Sequence, residues 1–402
     1  MTFDMDAFSF STKTTRIRHE RWIKKLKGKK PGPTVVFFGA VHGNEPAGVL
    51  ALQEVLDGLL QKEVDLNGDV FGIVGNLPAL KIGERFLEED LNRLWTIPRI
   101  EQIKQKPNLS VEEKELLELL NILEKIIKEA EGPLYFIDLH TTSSATYPFI
   151  TINDALINRK FAIKYPVPMV LGIEEHLTGP MLSYLNEVGY VSIGFEAGQH
   201  SDPKSIACAI AFIQLTLIFS GILEITYESE YMKAYQFLKQ KAGSMHKVFE
   251  IAHLHKIGKE NQFKMMAGFI SFQSIKKGEL LAVQNGTQIT APFSGRIFMP
   301  LYQQKGNDGF FIIYSIPTWI LGLSALLRNW KVDQLLTFLP GVSWEDKAKL
   351  VMRVDLRTAR FLAKPFFHLL GYRVRVKEGG YLRVSNRERA SKDNLYRKTN
   401  WW

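Results

Sequence analysis

The chain has 402 residues, 46% of them hydrophobic and 23% charged, the proportions of a globular protein with more than one core. Its single cysteine, Cys208, excludes a disulfide framework and fits a reducing, cytoplasmic setting. The formal net charge of +9 is unevenly spread: residues 16–30 carry +7 and residues 353–402 carry +9, whereas residues 31–352 are acidic at −6. Clustered Lys and Arg attract anionic partners. No nucleic-acid-binding signature accompanies them here, so the basic ends are expected to be solvated or to contact the acidic body, with no nucleic acid as partner.

Residues 1–32 form a basic N-terminal segment whose start, "MTFDMDAFSFSTKTTRIRHERW", has acids early and no apolar run ahead of its charges, unlike a secretory signal. From Pro33 onward, apolar strands alternate with helices. "TVVFF" runs into His42 and Glu45, three apart around a Gly-Asn turn, and then into the helix "AGVLALQEVLDGLL". After the turn "LNGD" comes the strand "DVFGIVGN", and "GERFLEEDLNRLW" then groups Arg85, Asn92 and Arg93. The charged cover helix "SVEEKELLELLNILEKIIKEAEG" ends at Gly132-Pro133 and feeds the strand "LYFIDLH", which carries Asp138 and His140 at its carboxyl end. Further strands read "PMVLGI" and "YVSIGFEAG", the second ending at Glu196. Ile206–Leu223 is about long enough to span a membrane, but it holds Gln214, Thr216 and Ser220 and starts from "SDPKS", a helix-start signal. It reads as a helix buried against a sheet, and no membrane span is expected.

This alternation predicts an α/β domain over residues 33–228, with a mixed, mostly parallel sheet covered by helices. Residues 229–318 are shorter alternating runs with Gly turns, a small all-β barrel-sandwich-like domain capping the site. Within it, "IKKGELLAVQNGTQITAPFSGRI" resembles the half-barrel of lipoyl and biotinyl carrier domains. The tight-turn pair Asn285-Gly286 stands where those domains carry a modified Lys, so the resemblance implies architecture and not a carrier role. Residues 319–402 form a basic α+β C-terminal extension of unknown role. Its helix-like text includes "WEDKAKLVMRVDLRTARFLAKPFF", a hairpin-like "YRVRVKEGGYLRV" follows, and the tail is expected to be mobile apart from any docking by its two Trp.

Ligands of α/β sheets sit beyond the carboxyl ends of strands, where the corner bearing His42 and Glu45 lies. Imidazole and carboxylate suit Zn²⁺, and catalytic zinc sites use three protein ligands. The pair alone reads as a polar turn. His140 offers a third ligand from another strand end, and Asp138, two residues earlier and on the same face, can accept a hydrogen bond from its imidazole and fix its tautomer. Arg85, Asn92 and Arg93 can grip a carboxylate or stabilise an oxyanion. Glu196, ending an apolar strand among small residues, is a candidate general base. His253 and His255 read as surface histidines and His176 as a loop residue. His200 reads equally blandly, with a place at the mouth of the site as its alternative.

In chain order, His42-Gly-Asn-Glu45, Arg85-Phe…Asp90-Leu-Asn92-Arg93, Asp138-Leu-His140 and Gly194-Phe-Glu196-Ala-Gly198 resemble the succinylglutamate desuccinylase/aspartoacylase family, relatives of the zinc carboxypeptidases, over about residues 33–318. The resemblance implies one Zn²⁺ per chain on His42, Glu45 and His140, with Glu196 as the base. It also implies that Arg85 polarises the scissile carbonyl, that Asn92 and Arg93 hold the substrate carboxylate, and that the substrate is a small N-acyl amino acid or similar carboxylate. The sequence departs from the family where an Arg lies about ten positions before the base; the nearest counterpart is Asn186. No Tyr aligns with the substrate-contacting Tyr of the family's β domain, and Gln303–Phe311, "QQKGNDGFF", is the segment expected near the pocket. Two alternatives are a metallocarboxypeptidase acting on peptides and a non-catalytic, metal-bearing binding or regulatory protein whose basic ends contact an anionic partner.

Overall fold

A computed structural model describes residues 16–224, 228–258, 262–338, 340–345, 351–355, 357, 364–378 and 381–402. In chain order its first half comprises β1 (Trp22–Leu26), β2 (Lys30–Gly39), α1 (Ala47–Gln61), β3 (Asn67–Val74), α2 (Leu77–Ile82), α3 (Ile97–Lys104), α4 (Val111–Glu129), β4 (Leu134–Thr142), β5 (Phe149–Ile152), α5 (Leu156–Ala162), β6 (Met169–Leu171), α6 (Met181–Glu187), β7 (Val191–Gln199) and α7 (Lys204–Phe219). Strands β3, β2, β4 and β7 lie side by side and parallel. Their alternating side chains feed two cores. Val35, Phe37, Tyr135 and Ile137 pack with α1 and α7, whereas Val36, Phe38 and Phe136 pack with α3, α4 and α6. Both faces are covered, which is why these strands read as unbroken apolar runs.

Two local signals explain the helix boundaries. Ser110 caps α4 in a capping box with Glu113, matching the "SVEE" start. Helix α7 begins at Lys204, whose amide donates to the side chain of Asp202. It is buried along its length, with Phe212 stacked on Phe195 of β7 at a centroid separation of 3.9 Å. No helix among the described residues is long and apolar enough to cross a membrane.

The second half comprises α8 (Glu228–Ala242), β8 (Val248–Lys256), β9 (Phe263–Met265), β10 (Ser274–Ile275), β11 (Leu280–Gln284), β12 (Thr287–Thr290), β13 (Gly295–Phe298), β14 (Asp308–Ser315), α9 (Thr318–Asn329), β15 (Val342–Trp344), β16 (Val351–Asp355), α10 (Lys364–Leu369), β17 (Tyr372–Glu378) and β18 (Tyr381–Asn386). The β-rich segment is joined to the α/β layer by backbone pairing. Beyond β7 the sheet continues through β5 and β6 into β8, β14, β13 and β10, making 11 strands in one sheet. Strands β9, β11 and β12 form a separate antiparallel sheet. Its tip is the Asn285-Gly286 turn, with φ of 50° and 76°, the two positive values that a two-residue hairpin requires.

The C-terminal extension differs from the sequence reading in two places. Val351–Asp355 is a strand and not part of a helix; residues 346–350, 356 and 358–363 of that stretch lie outside the described residues. Met352 and Val354 alternate inward to the core of the four-stranded sheet β15-β16-β18-β17, so pairing with β18 overrides the helical text. The tail, expected to be mobile apart from any docking by its two Trp, is docked by Trp401 and also by Tyr396. The Tyr396 hydroxyl donates to Leu134 O and accepts from Val191 N, bridging the starts of β4 and β7, and Trp401 Nε1 donates to the Tyr135 hydroxyl at 3.1 Å.

Charge joins both basic ends to the acidic body. Arg21, 8% exposed, binds Glu115 and Glu118 of α4. Arg328, its side chain fully enclosed, bonds Asp154 Oδ2 and O at 2.7 Å and Glu388 at 3.0 Å. Arg387 binds Glu174 at 2.8 Å and Glu175 at 2.6 Å. His368 lies 2.6 Å from Glu250 and 2.9 Å from Glu175. Burial opposes its charge, but the two carboxylates outweigh burial and raise its pKa above the ordinary 6.5.

Replacing Arg328 with Ala leaves Asp154 and Glu388 buried with one cation fewer. It should destabilise the protein by roughly 3–5 kcal/mol, the usual effect of halving a buried ion pair, read by denaturant unfolding; a loss under ~1 kcal/mol would reject the pairing as an anchor. For His368 the sign follows from its raised folded pKa. Its stabilisation is complete below 6.5 and is lost as pH rises through the folded value. His368→Gln should therefore narrow its stability deficit relative to the wild type on going from pH 6 to alkaline pH, and a deficit constant with pH would contradict this.

Candidate functional site

The corner between β2 and α1 is set by backbone contacts. Ala40 takes a φ of 55°, and the chain then bonds two neighbours: Gly75 N donates to Gly39 O and Asn76 N to Ala40 O, each at 2.8 Å. Gly43 N donates to Arg85 O at 3.1 Å. A Cβ on Gly43 would sit 2.2 Å from the Ala79 carbonyl carbon, so only glycine permits this approach. The result is a tight turn that buries both His42 and Glu45, the latter 2% exposed.

His140 and Glu196 come from adjacent parallel strands and are register partners, which sets their side chains on one face at the carboxyl ends of β4 and β7. Glu45 stands between the two imidazoles: Oε1 is 2.9 Å from His42 Nδ1 and Oε2 is 3.0 Å from His140 Nδ1. The Thr141 amide also donates to Oε2, at 2.9 Å. On its other side, His140 Nε2 meets Asp138 Oδ2 at 2.7 Å, as the same-face spacing anticipated. Burial alone would push the Glu45 carboxyl up, but the neighbouring imidazoles hold it well below the usual carboxylate range. His140 is displaced the other way: burial opposes its charge, and Asp138 with Glu45 raises its pKa well above the ordinary value.

The ligating atoms of His42, Glu45 and His140 lie within 4.8 Å of one another, a donor set of two imidazoles and one carboxylate that fits a small divalent cation. Glu196 Oε2 is buried and has no hydrogen-bond partner, and Asp138 Oδ1 shares that state. Burial first, then the charges of Glu45 and Asp138 against those of His140 and Arg85, pushes the Glu196 carboxyl up to about 8. A buried, unpartnered carboxylate with that proton affinity is equipped to move protons.

Arg85 Nη2 lies 2.9 Å from His42 Nε2 and donates to Asp90 Oδ2 at 3.3 Å, while Nη1 is 3.5 Å from Glu45 Oε1. Asp90 also caps the following turn by accepting from Asn92 N at 2.9 Å. Asn92 Oδ1 accepts from Met181 N, and Arg93 Nη2 donates to Asp308 Oδ2 at 2.7 Å. All eight residues singled out from the sequence line one cleft of about 680 Å³. Gln303, Gly306, Asn307, Asp308 and Phe311 line it too, so the segment expected near the pocket is there. His200 also lines the cleft, with Nδ1 2.7 Å from the Thr141 hydroxyl, contrary to its bland reading. Asn186 is buried on α6 and is not part of the cleft wall. His255 stacks on Phe310 away from the cleft. Asp90 and Asp308 are two of the charged cleft residues that sequence reasoning assigned no role; "EEDLNR" contains one of them, whereas nothing in "GNDG" signals an ion pair with Arg93.

A family profile for the succinylglutamate desuccinylase/aspartoacylase catalytic domain matches residues 31–209. The chain is 30% identical over 118 residues to a succinylglutamate desuccinylase of Photorhabdus laumondii, covering 28% of this chain and 35% of that one. It is 37% identical over 62 residues to one of Yersinia enterocolitica, covering 15% and 19%. The chain therefore matches about a third or less of the length of these curated relatives. Among solved structures, a succinylglutamate desuccinylase/aspartoacylase from Rhodobacter sphaeroides shares the fold with a TM-score of 0.54 at 16% identity, covering 73% of this chain and 88% of that one. Residues 31–209 are thus matched by the catalytic domain of the succinylglutamate desuccinylase/aspartoacylase family.

Proposed function

We propose that the chain is a zinc-dependent hydrolase that cleaves the amide bond of small N-acylated amino acids. The observation that carries this reading is Glu196, a buried carboxylate with an unpartnered oxygen, in register with a metal-type donor set and opening on the same cleft. His42, Glu45 and His140 would hold one Zn²⁺ per chain, which when bound supplies Lewis acidity and brings the ionisation of water close to neutral pH.

The remaining roles belong to side chains. Glu196 takes a proton from the attacking water and returns it to the departing nitrogen, so the products are a free amine and an acyl carboxylate. Its value of about 8 makes it a stronger base than an exposed carboxylate. Arg85 has a buried Nε with no partner, an N–H available to a developing oxyanion. Asn92 and Arg93 orient the substrate carboxylate. Asp138 accepts from His140 Nε2, which leaves Nδ1 facing Glu45. In this reading residues 33–228 carry the chemistry, and residues 229–318 wall the cleft through Gln303–Phe311. A cytoplasmic setting fits the single, buried cysteine.

Glu196→Gln should lower kcat by ~10²–10⁴-fold, the usual worth of a positioned acid–base group, while zinc content stays at the wild-type level. Turnover close to wild type would remove Glu196 from the role. Elemental analysis of Glu45→Ala and His140→Ala should give a metal-to-protein ratio well below that of the wild type, and an unchanged ratio would reject the ligand set.

A further inference from the structure

We propose that Asp308 sets the substrate class by cancelling the charge of Arg93. The site then takes N-acyl amino acids whose amine half has a neutral or basic side chain and disfavours those with a second carboxylate. The inference rests on the hydrolase reading above and names the substrates of that same site.

Arg93 is a committed cation. Its Nη2 donates to Asp308 Oδ2 at 2.7 Å and its Nη1 to Asn92 O at 2.9 Å. Asp308 reaches it from the start of β14, 215 residues further along the chain. The other two arginines lining the cleft are also paired: Arg85 with Asp90 at 3.3 Å, and Arg99 with Glu89 at 3.2 Å and Glu113 at 3.0 Å. Among the described residues no lysine lines the cleft, and its walls carry seven carboxylates against three guanidinium groups. A divalent cation on the donor set leaves the carboxylates in excess.

A guanidinium has five N–H groups, so Arg93 can still meet one substrate carboxylate alongside Asp308. Among the described residues of the cleft wall, a second carboxylate would find no unpaired cation and would face Asp308 itself, a like-charge juxtaposition that disfavours binding. An ammonium or guanidinium side chain meets the opposite situation, since Asp308 and Glu89 can each accept from it. Ile152, Ile173, Leu177 and Phe311 line the same cleft and suit an aliphatic stem.

The test uses the zinc-loaded full chain with two readouts. Calorimetry compares lysine with aspartate as ligands, and kinetics compares Nα-acetyl-lysine and N-acetylalanine with N-acetylaspartate and N-succinylglutamate. Lysine should bind at least about tenfold tighter than aspartate, and kcat/KM should favour the lysine derivative over both diacids by at least about the same factor. Asp308→Asn should shrink both ratios about tenfold or more, and Asp308→Glu should keep them. Equal or tighter binding of aspartate, or ratios unmoved by Asp308→Asn, would overturn the inference. If no amide is hydrolysed but the lysine preference appears and disappears with Asp308, the hydrolase reading fails and the assignment of Asp308 stands.

Discussion

The carboxylate of Glu45 is the group around which the site is assembled. Its two oxygens meet His42, His140 and the Thr141 amide, three partners from two strand ends. A charge this deeply buried is tolerated only when hydrogen bonds and opposite charges surround it. The corner that delivers it must therefore be exact in backbone terms, and Gly43 and Gly48 make it so. The first lets the loop approach Ala79, and the second lets α1 settle on Leu139, where an added Cβ would lie 2.7 Å from the Leu139 side chain. Parallel register then brings Glu196 beside His140 at no further cost in geometry.

Much of this was legible in the sequence, and for a definable reason. His42, His140 and Glu196 each follow an apolar run that is unmistakably a buried strand, and parallel strands put their carboxyl ends on one edge. Asp138 was legible because two residues in a strand share a face. What was not legible depends on contacts across long sequence separations. Asp308 pairs with Arg93 over 215 positions and Tyr396 with Val191 over 205. Val351–Asp355 is the other case: its apolar text suits a helix or a strand, and only the presence of β18 beside it decides.

The uneven charge of the chain also acquires a structural meaning. Part of the charge of the basic ends is spent internally, with Arg21 on α4, Arg387 on the acids of the α/β layer and His368 between two glutamates. Arg328, Arg387 and Arg21 are each less than a tenth exposed, so their charge is directed inward.

The hydroxyl of Tyr396 links the first residues of the two strands that end in His140 and Glu196. That link spans 262 positions on one side. The link closes only once residue 396 has been made, after both strands that it joins. High-separation contacts are formed late and slowly, and partly formed sheets with open ends are the species prone to aggregation. Tyr396 thus acts as a clasp: the two strands beneath the cleft are tied together at their far ends by a residue remote from the chemistry.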